Sequence, residues 1–161
     1  MSPRPDPDAL GFVLIDVARM LRSAFERRIA TAGLGLTPGE ARTLVRIATL
    51  EGSRQLDIAQ RMGIEPMTLS TYLDRLQSLG FIERRPDPAD RRAKLIFTTP
   101  TAGEPIANIR IEQIELMQHV TSGIGEAELD IMRGQLKRLR ANLVALEEDS
   151  SALALVKEPI L

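Results

Sequence analysis

The sequence lacks the residues on which many enzymes and metal proteins depend. It contains no cysteine, and His119 is the single histidine among 161 residues. The absence of thiols excludes disulfide bonds, thiolate nucleophiles, zinc sites with cysteine ligands and thiol-based redox sensing. A lone histidine on an amphipathic segment is more often a surface or core residue than a ligand. Because no phosphate-binding loop is present either, we expect no cofactor, no metal and no enzymatic activity.

Long apolar runs are also missing. A helix that crosses a bilayer needs about 18–20 apolar residues, whereas the longest compact run, Gly11 to Ile15, is stopped by Asp16. Residues 1–8 are rich in proline and aspartate, read as an extended lead-in, and lack the apolar core of a signal peptide. We therefore expect a cytoplasmic protein with no membrane partner. The length fits one domain with enough core to fold alone.

A general excess of basic charge is missing as well, because the formal net charge is -1. The average hides an uneven distribution along the chain. Residues 104–161 carry a net charge of -4, whereas residues 84–94 hold five basic and two acidic side chains. A charge cluster of this kind is often only a solvent-exposed face, so whether it has a function depends on the sequence pattern around it.

The hydrophobic pattern predicts a mainly α-helical fold with a small β-hairpin. Apolar residues recur at steps of three and four in several segments. The predicted helices span residues 8–31, 37–50, 55–62, 66–79, 101–120 and 126–149. Capping boxes at Thr37–Glu40 and Thr101–Glu104 mark two of the starts, and Gly63 suits the left-handed residue that ends the third helix. The residues predicted to face the core from the third helix are Leu56, Ala59 and Met62.

Two strands are predicted after the fourth helix, over residues 81–85 and 93–98. In the second strand, Leu95 and Phe97 alternate with Lys94, Ile96 and Thr98, as expected of a half-buried strand. The segment Pro86-Asp87-Pro88-Ala89-Asp90 lies between the strands and has strong turn chemistry. The two strands therefore form a hairpin with a long, charged tip.

The order helix, helix, tight turn, helix, hairpin defines a winged helix-turn-helix. The exposed N-terminal end of the helix over residues 66–79 can enter the major groove of double-stranded DNA. The residues at that end are Pro66, Met67, Thr68, Ser70 and Thr71. Arg75 is the one basic residue between Glu65 and Leu79, so the helix offers few bidentate readers of guanine. We expect specificity to depend on methyl contacts, Tyr72 and the shape of the groove.

The residues from Leu56 to Thr98 closely resemble the MarR family of bacterial transcription regulators. The matching pieces are Ile58-Ala59-x3-Gly63-Ile64, Thr68-Leu69-x3-Leu73-Asp74-Arg75-Leu76 and Gly80-Phe81-Ile82-Glu83-Arg84. The most specific piece is the wing stretch Asp87-Pro88-Ala89-Asp90-Arg91-Arg92-Ala93-Lys94-Leu95. The wing together with Gly63-Ile64-Glu65 is most similar to the SlyA-like branch. The flanking helices match in number and order, so the resemblance covers about residues 10–148.

The resemblance implies roles for the wing residues. Arg92 would insert its guanidinium into the minor groove, whose negative potential attracts it, and Asp90 would hold Arg92 in place. The alternative is a local ion pair in a turn, worth about 0–1 kcal/mol on a surface. The other basic residues, which would contact phosphates or remain solvated, are Arg84, Arg85, Arg91 and Lys94.

The resemblance also implies an effector, because many relatives release DNA when a small, often aromatic, anion binds beside the DNA-binding lobe. Arg19 and Arg22 lie three residues apart on the first helix and share a face, where two guanidiniums could fork a carboxylate. They match arginines that serve such anions in the SlyA-like branch, and Met20 and Tyr72 would supply apolar walls. The alternative is that both arginines pair with nearby acids such as Asp16.

A homodimer is implied by the same resemblance. Its helical dimerisation body would comprise residues 1–35 and 101–161, and residues 36–100 would form the DNA-binding domain. Two patterns agree with this: the first helix is apolar on several faces, and the last carries a heptad seam. The seam residues are Leu129, Met132, Leu136, Leu139, Leu143 and Leu146. The alternative is a core formed within one chain.

These features predict a dimeric, sequence-specific regulator of transcription that binds an inverted repeat in double-stranded DNA. Repression, with release by a small aromatic carboxylate, is the expected mode of action. A winged-helix module that binds proteins instead of DNA is the alternative, because the recognition helix carries little charge. The tail over residues 150–161 contains the apolar run Ala152–Val156, which could dock on another surface.

Overall fold

The computed structural model describes the backbone of residues 6–156 and the side chains of residues 6–147. The helices in this range are α1 (Leu10–Thr31), α2 (Pro38–Thr49), α3 (Gln55–Met62), α4 (Pro66–Ser78), α5 (Gly103–Val120) and α6 (Glu126–Val156). The strands are β1 (Ser53–Arg54), β2 (Ile82–Pro86) and β3 (Lys94–Thr98). The prediction of a mainly helical fold with a small sheet is therefore confirmed. Most of the predicted lead-in, and the side chains of the apolar run in the tail, lie outside the described residues.

The start of α2 is fixed by the predicted capping box. The Thr37 hydroxyl accepts a hydrogen bond from the Glu40 backbone N–H at 3.3 Å, and the Glu40 carboxylate accepts one from the Thr37 N–H at 2.9 Å. Pro38 occupies the first helical position, where an N–H would have no partner within the helix. The capping box satisfies two backbone donors and so fixes where α2 begins. Leu44 and Ile47 of this helix lie in the core.

The joint between α3 and α4 also forms as predicted. Gly63 ends α3 with a φ of 62°, a left-handed conformation that costs other residues about 1–2 kcal/mol. The core face of α3 consists of Ile58, Ala59 and Met62, whereas Leu56 is 67% exposed. The prediction that Leu56 faces inward was therefore wrong. Each residue turns a helix by about 100°, and the arc that holds the three buried side chains excludes Leu56.

The predicted capping box at Thr101 does not form. Pro100–Ala102 adopt a 3-10 turn, and α5 begins only at Gly103. The Thr101 hydroxyl donates to the Gly80 carbonyl at 2.6 Å, which links the start of α5 to the end of α4 instead of capping a helix. A hydroxyl forms a hydrogen bond with whichever partner the tertiary structure brings closest. For Thr101 that partner is Gly80, 21 residues earlier in the chain.

The sheet has three antiparallel strands in the order β1-β3-β2. The hairpin of β2 and β3 was predicted, but the predicted alternation grouped Ile96 with Lys94 and Thr98, whereas Ile96 is the fully buried residue of β3 and Leu95 and Phe97 are half-buried. The two-residue strand β1 was missed, because it is too short to alternate. It forms only by pairing with the far side of β3, with Arg54 opposite Leu95.

One hydrophobic core joins α1, α5 and the winged helix-turn-helix. Phe25 and Ile29 of α1 and Ile109 of α5 belong to the same buried cluster as the core residues of α2, α3 and α4. Arg28 of α1 donates to Glu112 of α5 at 2.8 Å. The C-terminal half of α1 thus shares a core with α2, α3 and α4 and is joined to α5 by this ion pair.

The chain divides into two compact units, one up to Met117 and one from Gln118 onward. The first unit contains the core described above. The second consists of the end of α5 and of α6, whose start is marked by a hydrogen bond from the Gly125 N–H to Glu128 at 2.9 Å. Over the described ranges, no helix is long and apolar enough to cross a membrane, and no cluster of potential metal ligands occurs.

Candidate nucleic-acid interface

The recognition helix α4 buries one face and exposes the other. Leu69, Leu73 and Leu76 are fully buried, which fixes the rotation of the helix about its axis. On the opposite side, Met67 is 79% exposed and Thr68 is exposed beside it. The predicted base-contacting residues therefore do lie at an open helix end, except that Ser70 is half-buried.

Two side chains on α4 have partners within the protein. The Thr71 hydroxyl donates to the Met67 carbonyl at 3.2 Å, so its oxygen keeps lone pairs that can accept a hydrogen bond. Tyr72 lies against the first turn of α2, where a Cβ atom added to Gly39 would be 2.4 Å from the ring. Glycine at position 39 thus lets the Tyr72 ring touch the α2 backbone.

Arg84 joins the wing to the recognition helix. Its guanidinium donates to Asp74 at 2.7 Å and to Gln77 at 2.9 Å, both on α4, and its side chain is only 22% exposed. The sequence left open whether this arginine contacts phosphate or stays solvated. The structure instead shows that it joins β2 to α4.

Arg85 is also engaged within the sheet. Its guanidinium lies 4.3 Å from the centroid of the Phe97 ring and donates to Glu83 through Nε at 2.8 Å. Such a cation–π contact is worth about 0.5–1 kcal/mol at an exposed site. Both arginines of β2 are therefore occupied by intrachain partners.

Hydrogen bonds give the wing loop a defined backbone. The Asp87 N–H donates to the Ala93 carbonyl at 3.1 Å, and the Ala93 N–H donates to the Asp90 carbonyl at 2.9 Å. The Asp90 carboxylate accepts the backbone N–H of Arg92 at 3.0 Å. Asp90 thus contacts the Arg92 backbone, and the Arg92 side chain is exposed.

The cations in and beside the loop between β2 and β3 are exposed. They are Arg91 and Arg92 in the loop and Lys94, the first residue of β3. Within the range whose side chains are described, no ion pair or side-chain hydrogen bond engages any of them. The basic cluster therefore divides into two arginines of β2 that have partners within the chain, Arg84 at 22% and Arg85 at 58% exposure, and three exposed cations in and beside the loop.

Sequence reasoning missed a residue at the base of the wing. Arg54 donates through Nε to the buried carboxylate of Asp87 at 2.7 Å. The pKa of Asp87 lies below its usual value, chiefly because Ala89 donates its backbone N–H to the carboxylate and further because of Arg54. Asp87 in turn raises the pKa of Arg54. No local pattern indicates this pair, because its members are 33 residues apart.

The four predicted effector residues lie on two different helices. Arg19, Met20 and Arg22 are exposed on α1, and Arg19 forms a 3.0 Å ion pair with Asp16. Two cavities, of about 380 and 310 Å³, have other linings. The first is lined by Ile29, Leu34, Leu36, Thr37, Glu40 and Arg75, and the second by Leu21, Phe25, Gln113, Leu116 and Met117. Neither of them contains a predicted effector residue.

A winged helix-turn-helix with an open recognition helix and a basic wing tip defines a DNA-binding protein. Residues 36–94 match the family model described as the MarR family. A crystal structure of the transcriptional regulator PA3341 is 33% identical, covers 84% of this chain and 98% of its own, and has a TM-score of 0.71.

Two further solved structures extend the likeness over most of the chain. The crystal structure of MarR is 26% identical, covers 91% of this chain and 99% of its own, and has a TM-score of 0.74. The structure of the transcriptional regulator SlyA is 28% identical, with coverages of 89% and 99% and a TM-score of 0.69. The chain belongs to the MarR family and is a DNA-binding regulator of transcription.

Proposed function

We propose that the protein acts in the cytoplasm as a dimeric, sequence-specific repressor that binds an inverted repeat in double-stranded DNA. The observation that carries this proposal is the division of the basic cluster. Arg84 and Arg85 have partners in the fold, whereas Arg91, Arg92 and Lys94 extend from the wing tip. Exposed cations on a rigid loop meet the requirement for contact with a phosphate backbone.

In this proposal Arg92 enters the minor groove, and Arg91 and Lys94 contact the phosphates beside it. A guanidinium binds most tightly in a narrow minor groove when little conformational entropy is lost on binding. The hydrogen bond from the Arg92 N–H to Asp90 fixes the backbone from which the side chain extends. Asp90 thereby supports Arg92 without neutralising its guanidinium.

The recognition helix is proposed to read bases mainly through apolar and hydroxyl contacts. Pro66, Met67, Thr68, Ser70 and Thr71 carry no cation and no amide side chain. Bidentate recognition of guanine or adenine is therefore unavailable at this end of α4. The exposed thioether of Met67 is suited to the 5-methyl group of thymine, and Arg75 lies further along the helix.

Dimerisation is proposed through residues 1–35 and 101–161, with residues 36–100 as the DNA-binding domain. The support is the distribution of exposed apolar side chains, most of which lie on α1, α5 and α6. Examples are Phe12, Ile15 and Val17 on α1, and Leu136 and Leu143 on α6, each more than a third exposed. Apolar surface of this extent usually marks an interface between proteins.

Release by a small aromatic carboxylate is proposed to involve Arg19 and Arg22. Both are exposed, and the only ion pair between them and a described acid joins Arg19 to Asp16, whose side chains are 68% and 62% exposed. An ion pair this exposed is worth at most about 1 kcal/mol, so an incoming carboxylate can displace it. Met20 on α1 and Tyr72 on α4 remain the proposed apolar walls. Replacing both arginines by alanine should abolish release by salicylate, and unchanged release would contradict this part.

The repressor proposal is tested with the DNA upstream of the protein's own gene. Affinity should fall steeply with salt, with a slope on the order of several released counterions. The bound fragment should contain an inverted repeat with half-sites about one helical turn apart, and the protein should lower transcription from it. Tight binding with increased transcription would make it an activator. The absence of DNA binding would favour a protein-interaction module.

A further inference from the structure

The base of the wing is linked to the start of α3 by one buried carboxylate. Asp87 directly follows β2, and its side chain is 8% exposed. The carboxylate accepts hydrogen bonds from Arg54 Nε at 2.7 Å and from the Ala89 backbone N–H at 2.8 Å. Arg54 is the last residue of β1 and directly precedes α3.

The sheet register explains how two residues so distant in sequence meet. Arg54 lies opposite Leu95 on β3, and Leu95 lies opposite Arg85 on β2. Cross-strand partners point to the same face of a sheet. The Arg54 side chain can therefore pass over β3 and reach Asp87, two residues beyond Arg85.

Asp87 also closes the loop that carries the exposed cations. Its N–H donates to the Ala93 carbonyl at 3.1 Å, and its carbonyl accepts the Asp90 N–H at 3.3 Å. Any shift of Asp87 would therefore move the segment that holds Arg91 and Arg92.

We propose that Arg54 is a positioning residue for DNA binding, which holds the wing through Asp87 at a fixed angle to α3 and does not itself contact DNA. The inference rests on the proposed contact between the wing and the minor groove. A wing that is ordered before binding loses less conformational entropy when it enters the groove. Disruption of the pair should therefore weaken binding even though the cations at the tip are unchanged.

The competing possibility is that Arg54, whose side chain is 43% exposed, contacts a phosphate directly. The two possibilities predict opposite effects of Asp87→Asn. If Arg54 binds phosphate, removal of the neighbouring negative charge leaves the affinity unchanged or raises it. If Arg54 positions the wing, the loss of its charged partner lowers the affinity. Asparagine keeps a carbonyl that can accept the Ala89 N–H, so the turn itself is retained.

The test uses the full-length protein and a duplex containing the DNA upstream of its own gene. Arg54→Gln and Asp87→Asn should each weaken binding by about tenfold, the lower end of the effect of one charged hydrogen bond. The double variant should bind no more weakly than either single variant, and Arg54→Lys should recover part of the loss. The slope of affinity against salt should stay at the wild-type value. An affinity of Asp87→Asn equal to or above wild type would overturn the proposal.

Hydrogen exchange distinguishes a local loss of order in the wing from a general loss of stability. In both single variants, the amides of Asp87, Asp90 and Ala93 should exchange faster, while those of Leu44 and Ile109 in the core should not. Acceleration throughout the protein would indicate a merely structural role and contradict the proposal, as would unchanged exchange in the wing. If the wild-type protein fails to bind the duplex, the proposed function fails, whereas wild-type binding with unaffected variants refutes this inference alone.

Discussion

The Arg84 guanidinium lies 2.7 Å from the Asp74 carboxylate and connects β2 to the recognition helix. This pair gives a basic residue of β2 a structural role. The hairpin and α4 are therefore joined by this ion pair, and the exposed basic residues that follow β2 are Arg91, Arg92 and Lys94. The proposed binding to DNA depends on the difference between the arginines that have partners within the chain, Arg84 and Arg85, and the exposed Arg91 and Arg92 of the loop.

Arg84→Ala is predicted to leave the salt dependence of DNA binding unchanged. The Arg84 side chain is paired with Asp74, so it displaces few counterions when DNA binds. The substitution should lower the free energy of unfolding by up to about 1 kcal/mol, as expected for a partly exposed pair. Salt titrations of binding and denaturant unfolding measure the two effects. Arg91→Ala is the matched control, which should reduce the slope by about 0.9.

Met67 is predicted to recognise thymine. Its side chain is 79% exposed at the end of α4 that faces the major groove in the proposal. Substitution of deoxyuridine for individual thymines in the bound DNA should weaken wild-type binding by about 1 kcal/mol at one position per half-site. Met67→Ala should remove this sensitivity, whereas Leu56→Ala, an exposed apolar control on α3, should retain it. Equal sensitivity in the wild-type and Met67→Ala proteins would rule out this contact.

The heptad seam of α6 is predicted to hold the dimer together. Leu139→Glu places a charge among apolar side chains that are exposed in the single chain, and it should weaken the dimer by at least tenfold. Sedimentation at several concentrations measures the dissociation constant. Gln135→Glu introduces the same charge outside the seam, and it should leave the assembly unchanged. A dimer unaffected by Leu139→Glu would show that α6 lies outside the interface.

The Arg54–Asp87 pair predicts a local response to acid. The folded-state pKa of Asp87 is below its usual value, chiefly because of the Ala89 N–H and further because of Arg54, so the ionised carboxylate stabilises the fold at pH values above the unfolded pKa of about 3.9. This contribution is lost as the pH falls through the depressed folded-state pKa. Unfolding measured between pH 6 and pH 3 should therefore be less pH-dependent in Asp87→Asn than in the wild type. Asp130→Asn, on exposed α6, serves as the control.

The sequence predicted the features of the fold that depend on local chemistry. The apolar periodicity located the helices, the Thr37–Glu40 pair fixed the start of α2, and Gly63 fixed the end of α3. Each of these depends on residues within one or two turns of each other, so the sequence contains the whole cause.

Features that depend on distant partners were missed or misplaced. β1 forms only by pairing with β3, where Arg54 lies opposite Leu95. The Thr101 hydroxyl donates a hydrogen bond to the Gly80 carbonyl and does not cap a helix. At the candidate nucleic-acid interface, the composition of the wing showed how many cations it carries, but not which of them have a partner within the chain. That distinction depends on Asp74 and Phe97, whose positions follow from tertiary packing.

The comparison of Arg92→Ala with Arg85→Ala tests the central claim most directly. Both variants remove one arginine from the same wing, but Arg85 is held by Glu83 and Phe97, whereas Arg92 extends from the tip. Fluorescence anisotropy on the DNA upstream of the gene should show that Arg92→Ala weakens binding by about 1–3 kcal/mol, with the dimer intact. Arg85→Ala should change binding by less than about 0.5 kcal/mol. Wild-type affinity in Arg92→Ala would contradict the proposed role of the wing.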